Sequence, residues 1–176
     1  MIQDFRYFWA LQGSFGSTTN VISGAAKFGT VSTDFDGDSK MDLATANMST
    51  CDVSIFLGAG NGTSSSPISY TVPSAPNAIC LADFNLNGKP DFATANAGND
   101  NMSVFKNNGN GIFAPQVLYS TGTTGSIPSA IVSSNFNNDG KTDLAVSNSF
   151  AAIISVRLGT GGGALAIKCS LRLLRG

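Results

Sequence analysis

Apolar residues in this chain come in short bursts, not in long amphipathic runs, and the bursts recur in a fixed order. In the middle of the chain an apolar stretch at 78–82 is followed by a polar loop, then by stretches at 92–96, 102–106 and 113–119. Each is five to seven residues long and bounded by Gly, Asn and Ser. That length and punctuation predict strands joined by tight turns and leave no room for helices. Only the C-terminal ALAIKCSLRLLRG leans weakly towards a helix.

The same order appears on either side. Val53-Ser-Ile-Phe56 matches Met102-Ser-Val-Phe105 and Ile154-Ser-Val-Arg157, at offsets of 49 and 52 residues. Glycine turns follow each: GAGNG at 58–62, NNGNG at 107–111 and GTGGG at 159–163. A repeat of about fifty residues points to a solenoid, propeller or array. Four strands per repeat, here called A to D, is the content of a propeller blade. The expected fold is all-β, with about three blades of four antiparallel strands.

The loop between strands A and B carries the candidate chemistry. Eight of the 11 carboxylates, all of them Asp, fall in three similar segments: DFDGDSKMDLATAN from Asp34, DFNLNGKPDFATAN from Asp83 and NFNNDGKTDLAVSN from Asn135. Oxygen-bearing side chains stand at positions one, three, five and nine. They are Asp34, Asp36, Asp38 and Asp42, then Asp83, Asn85, Asn87 and Asp91, then Asn135, Asn137, Asp139 and Asp143. A coiled loop turns alternate side chains inward, and the position-seven carbonyls of Lys40, Lys89 and Lys141 would add a further oxygen. Calcium takes six to eight oxygen ligands, so the spacing predicts a calcium site in each loop. An EF-hand is excluded, because it needs a Glu at position twelve, which here is Thr45, Thr94 and Val146.

Asp, Asn and Gly are also ordinary turn formers. Threefold recurrence, and four carboxylates that would repel one another in the first loop, weigh towards metal and rank that loop first. One feature opposes the ranking. Position six, where a left-handed backbone is expected, is Gly88 and Gly140 in the later loops but Ser39 in the first, with Gly37 two residues earlier. A left-handed Ser costs on the order of 1 kcal/mol.

These residues resemble the FG-GAP or VCBS-type repeat of integrin alpha-subunit propellers and many bacterial surface proteins. The loop D-x-[DN]-x-[DN]-G-x-x-D and the starts of strand D at Phe15-Gly16 and Phe113-Ala114-Pro115 carry the likeness, over roughly residues 12–163. The resemblance implies a calcium-stabilised propeller in an extracellular or surface-attached chain that binds a protein or glycan. Gly13-Ser-Phe15 aligns with Gly111-Ile-Phe113, so the chain reads as the last strand of one blade, two complete blades, and a third that stops after strand C. Residues 1–12, including FRYFWAL, read as a partial strand or flap, 13–163 as the repeats and 164–176 as an atypical tail. Propellers close with four to eight blades. About three therefore imply an open arc, a fragment, or self-association through open blade edges.

Composition narrows the function. The net charge of −1 includes no basic patch that would favour nucleic acid, and no apolar run approaches the roughly twenty residues needed for membrane insertion. The opening MIQDFRYFWALQG is not a persuasive secretory signal. The three cysteines give no disulfide or zinc framework, and Cys80 falls at an apolar strand position. With neither His nor Glu, the commonest general base, the serine triad and the Glu-based glycosidase pair are absent. Tyr70 and Tyr119 occupy the same place at the end of strand D, and Phe35, Phe84 and Phe136 recur at loop position two, so all five read as packing residues. Tyr7 and Trp9 alone suit a sugar platform. The expectation is a noncatalytic calcium-binding module for extracellular adhesion or recognition; a glycan-binding lectin and an accessory region of a polysaccharide-degrading enzyme are the alternatives.

Overall fold

The computed structural model describes residues 27–172 except residue 123, with side chains over 29–166. The expected flap at 1–12, Tyr7, Trp9 and the Phe15-Gly16 pair lie outside the described residues. Among the described residues, twelve strands form three four-stranded antiparallel sheets. The first blade holds β1 (Lys27–Thr33), β2 (Asp42–Asn47), β3 (Asp52–Phe56) and β4 (Ile68–Thr71). The second holds β5 (Pro76–Ala82), β6 (Asp91–Asn96), β7 (Asn101–Phe105) and β8 (Val117–Ser120). The third holds β9 (Pro128–Ser134), β10 (Asp143–Asn148), β11 (Ile153–Gly159) and β12 (Leu165–Arg172). Each blade is a simple meander, and β5 lies against both β1 and β9, so the A strands line the junctions between blades.

Blades pack face to face. In β6, Phe92 joins the core shared with the first blade, while Ala93 and Ala95 join the core shared with the third. This is the period of two expected of a strand, with both faces dry. It explains why strand B shows no polar–apolar alternation. Between the first two blades, Phe35, Val53 and Ile55 meet Ile79, Phe92, Phe105 and Phe113. Between the second and third, Cys80, Phe84, Met102 and Val104 meet Ile131, Leu144, Val146 and Leu165. Burying a large apolar side chain stabilises by about 1.5–3 kcal/mol, so these junctions dominate the cohesion of the array. Burial also pushes the Cys80 thiol up to about 12, as befits an inert core residue.

Three sequence expectations require correction. The third blade does not stop after strand C: β12 pairs with β11 and completes it, so the segment from 164 is neither an atypical tail nor helical in the described part. From Ile167 to Arg172 the sequence Ile-Lys-Cys-Ser-Leu-Arg alternates apolar and polar residues, a strand period obscured by its unusual composition. Strand D is also shorter than 113–119. Phe113 forms an isolated bridge to Asn107, and β8 begins only at Val117, because Pro115 supplies no amide to a ladder. Finally, Phe136 does not plug a core. Phe35 and Phe84 are 1% and 2% exposed, whereas Phe136 is 47% exposed. Phe35 lies edge-on to Phe113 of the following blade at 5.4 Å and Phe84 shares a core with Leu165, but no described blade follows the third.

The tyrosines at the end of strand D pack as expected and also tether. The Phe113 amide donates to the Tyr70 hydroxyl at 3.1 Å, and the Leu165 amide to that of Tyr119 at 3.2 Å. Tyr70 also sits edge-on to Phe92, Phe105 and Phe113.

A buried polar brace repeats inside each blade. Asn96 donates to Asn101 and to Ser103, both at 2.8 Å, and accepts from the Thr94 hydroxyl at 2.9 Å. Asn47 repeats this with Asp52, Ser54 and Thr45. In the third blade Asn148 still donates to Ser155, but Val146 replaces the threonine, and the buried Asn148 Oδ1 finds no donor among the described residues. An unmet buried acceptor costs about 1–3 kcal/mol. Val146→Thr, nearly isosteric, is expected to stabilise the chain by about 1 kcal/mol, raising Tm by about 2–4 °C in a domain of this size. A thermal melt that shows no rise would refute this account of the brace.

Candidate metal centre

Each A–B loop is wound by its own side chains. At position one, Asp34 accepts the amides of Gly37 at 2.7 Å and Ser39 at 2.8 Å, Asp83 those of Asn87 and Gly88, and Asn135 that of Asp139. At position three, Asp36, Asn85 and Asn137 each accept the amide two residues on, at 3.1 Å. At position five, Asp38, Asn87 and Asp139 do the same for Lys40, Lys89 and Lys141, at 2.9 Å. These successive Asx turns coil the loop.

Position nine has a different role. Asp42 is 1% exposed and accepts the Phe35 amide on Oδ2 and the Gly58 amide on Oδ1, each at 2.7 Å. Asp91 takes the amides of Phe84 at 2.9 Å and Asn107 at 2.7 Å, and Asp143 those of Phe136 at 2.7 Å and Gly159 at 2.8 Å. One carboxylate thus pins the A–B loop to the C–D turn in every blade. Asn serves at positions three and five, where one amide is accepted, and at position one of the third loop, where Asn135 accepts only the Asp139 amide; position nine faces two N–H donors in all three loops and is Asp throughout. Sequence reading treated position nine as a ligand like the others and missed this staple; its invariance among the three repeats was the available signal. The turn's closeness also explains its glycines. A side chain at Gly58 or Gly159 would run into the carbonyl of Met41 or Thr142. Asn107 takes the equivalent place and donates to the Pro90 carbonyl at 3.1 Å and across the junction to that of Phe35 at 2.8 Å.

In the first loop, carboxylate oxygens of Asp34, Asp36 and Asp42 lie within 4.8 Å of one another. Burial pushes the Asp42 carboxyl above the usual range, against the two amides that favour its charge, and the nearby Asp36 and Asp34 charges add to the rise. Burial likewise raises Asp91, with Asp83 contributing. Hard oxygens, mutual repulsion and partial burial are the conditions a divalent cation relieves, and this donor set fits calcium. Asp38 is not in the cluster: its Oδ2 meets the Lys40 ammonium at 2.6 Å, and that hydrogen bond holds its carboxyl below the usual range. Lys141 approaches Asp139 in the same way at 3.6 Å, and Asp139 is also lowered, chiefly by the Lys141 amide. In the second loop, where position five is Asn87, Lys89 instead donates to the Asn108 carbonyl at 2.6 Å. Among the described residues, three carboxylates converge in this way only in the first loop; the second and third loops carry two Asp each beside Asn side chains.

The expected handicap of Ser39 is shared by all three loops. Position six is left-handed in each, at φ 66° for Ser39, 78° for Gly88 and 80° for Gly140, but so is position four, at 84° for Gly37, 60° for Leu86 and 60° for Asn138. Each loop places one glycine and one residue with a Cβ in these two positions. The first loop merely exchanges them, so its larger charge carries no special backbone cost.

The FG-GAP-like repeat model matches residues 34–94 and 83–146, two overlapping units that begin at the first and second acidic loops. The chain belongs to the FG-GAP-like repeat family. Among solved structures, BBS1N in complex with ARL6DN, soaked with lead, matches with a TM-score of 0.56 at 15% identity over 79% of this chain. The same complex soaked with mercury gives 0.54 at 14% identity over 79% of the chain. This FG-GAP chain spans 42% of the length of each, and the likeness supports the propeller-like blade architecture alone. The Photorhabdus luminescens Tc holotoxin pore matches at a TM-score of 0.49 and 17% identity, covering 84% of this chain and 7% of that one. Comparison with curated proteins gave no match.

The staple separates position nine from the others experimentally. Asp91→Asn turns an NH2 group towards one of two amides and is expected to cost about 1–3 kcal/mol in metal-free buffer. Asp36→Asn keeps its single acceptor and is expected to cost under about 0.5 kcal/mol there. Chemical denaturation of both variants in chelator measures the difference; equal losses would show that position nine is not a staple.

Proposed function

We propose that this FG-GAP-like chain is a noncatalytic repeat module whose blades are clamped by calcium and that serves adhesion or recognition outside the cell, with a protein or glycan as partner. The carrying observation is the convergence of Asp34, Asp36 and Asp42 within 4.8 Å in a loop already wound by its own Asx turns. The carbonyl of Lys40 and the carboxylate of Asp38, once released from its lysine, supply further oxygens for a shell of six to eight. The second loop offers Asp83, Asn85, Asn87, Asp91 and the Lys89 carbonyl. The third offers Asn135, Asn137, Asp139, Asp143 and the Lys141 carbonyl. Their lower charge ranks both below the first.

The extracellular setting is the one in which weak calcium sites would fill. Sites with few carboxylates in extracellular modules hold calcium at about 10⁻⁴–10⁻³ M, concentrations met outside cells. The noncatalytic assignment is supported by the use of Asp: eight of the 11 wind or staple the loops, and Asp52 and Asp100 are committed elsewhere. Asp52, although burial opposes it, is held below the usual carboxyl range by Ser69, Thr50 and Asn47. Asp100 holds the D–A connection through the amides of Gly125 and Ile127 and the hydroxyl of Ser126.

Saturating calcium is expected to stabilise the chain by about 2.7 kcal/mol for each site at a hundredfold excess over Kd. Asp34→Asn or Asp36→Asn should remove most of the calcium-dependent rise in Tm, and Asn135→Ala only a minor part. Superimposable melts of the native chain in calcium and in chelator would reject the reading.

A further inference from the structure

The first two acidic loops meet at one residue. Asn107 opens the C–D turn of the second blade at the place held by Gly58 in the first and Gly159 in the third. Its backbone does what theirs does, donating to the carboxylate at position nine, here Asp91 at 2.7 Å. Its side chain has no counterpart in the other two turns. That amide group donates to the Pro90 carbonyl at 3.1 Å, next to Asp91, and to the Phe35 carbonyl of the first blade's loop at 2.8 Å. Phe35 stands between Asp34 and Asp36, and its own amide donates to Asp42 at 2.7 Å. Hydrogen bonds therefore run from Asp42 through Phe35 and Asn107 to Asp91, from a carboxylate of the first cluster to a candidate ligand of the second loop. All four residues are buried, where a hydrogen bond is stronger and a misplaced partner costs more than in water.

The two blade junctions differ in this side chain. Gly111 donates to the Phe35 carbonyl at 3.1 Å and Gly163 to that of Phe84 at 3.0 Å, so the backbone seat is common to both. At the second junction the tie between loops is looser, from the Thr142 hydroxyl to the Asp83 carbonyl at 3.3 Å.

We propose that the first and second loops bind calcium with positive cooperativity and that the Asn107 side chain carries the coupling, an inference that rests on the reading of these loops as calcium sites. When Asp34, Asp36 and Asp42 gather on one ion, the Phe35 peptide between them is held, and its carbonyl holds the Asn107 amide beside Pro90 and Asp91. The second loop then has less freedom to lose as its own oxygens close, and a ligand that meets a segment already ordered binds more tightly. By linkage the effect is reciprocal.

The test follows the backbone amide resonance of Gly88, in the second loop, and that of Gly37, in the first, through calcium titrations of the whole chain. Asp36→Asn weakens the first loop and leaves the second loop's residues untouched. Couplings between sites span about 5–150-fold, and one side-chain tie belongs at the low end, so Asp36→Asn is expected to weaken calcium binding at Gly88 about five- to tenfold. In a chain that already carries Asn107→Gly, the same substitution should change it less than about twofold, closing a double-mutant cycle. Glycine is the residue the other two turns use, and it keeps the amide on Asp91 while Gly111 still serves the Phe35 carbonyl. Asn107→Ala, which removes the amide group and keeps Cβ, should uncouple the loops equally, and circular dichroism in chelator checks that both variants fold. Equal calcium affinity at Gly88 with and without Asp36→Asn, an equal loss with and without the Asn107 side chain, or a response at Gly37 with none at Gly88 would each overturn the coupling and leave the first calcium site standing. No response at either glycine would overturn the calcium reading and the coupling together.

Discussion

A carboxylate with two oxygens, set between two backbone amides, organises every blade of this protein. Asp42, Asp91 and Asp143 each join the amide at loop position two to the amide that opens the C–D turn, 16 residues later. Two connections at the same end of the sheet are thereby locked together. This fixes the Phe at position two in place, and its carbonyl in turn receives the next blade: Phe35 accepts from Gly111 at 3.1 Å and Phe84 from Gly163 at 3.0 Å. The loop, the turn and the blade junction form one connected assembly. Charge-assisted hydrogen bonds of this kind are about twice as strong as neutral ones and very costly to leave half-made.

The assembly also links the candidate cation site to the stability of the array. The first loop's ninth Asp is at once a member of the acidic cluster and the staple of its blade, so the charge it gathers is held against the core and not in open solvent. Lysines at position seven offset part of that charge in the first and third loops by pairing with the Asp at position five. Such exposed pairs are weak and rearrange readily, which leaves the loop open to a stronger counter-ion.

Most of the fold was legible because the chain repeats. Strand length, turn residues and the spacing of loop oxygens agree with one another three times, and agreement between independent signals specifies structure better than any one of them. What was not legible has identifiable causes. The strand in Leu165–Arg172 was obscured by basic residues, although its alternation was present. The early break in strand D followed from Pro115, whose missing amide was visible but whose effect depended on Phe113 turning into the junction.

By itself, the amino-acid order determined that this chain forms four-stranded units about fifty residues apart, each with a loop wound by Asp and Asn side chains, because local spacing dictates strand period and Asx turns. Only the tertiary structure decided which oxygens meet and which apolar residues are covered. Asp36 joins Asp34 and Asp42 while Asp38 turns to Lys40, a matter of where a coiled backbone directs side chains two residues apart. Phe84 is buried and Phe136 is not, though each occupies the same place in its repeat. Burial belongs to the neighbouring blade, and a repeat motif carries no record of whether a neighbour follows.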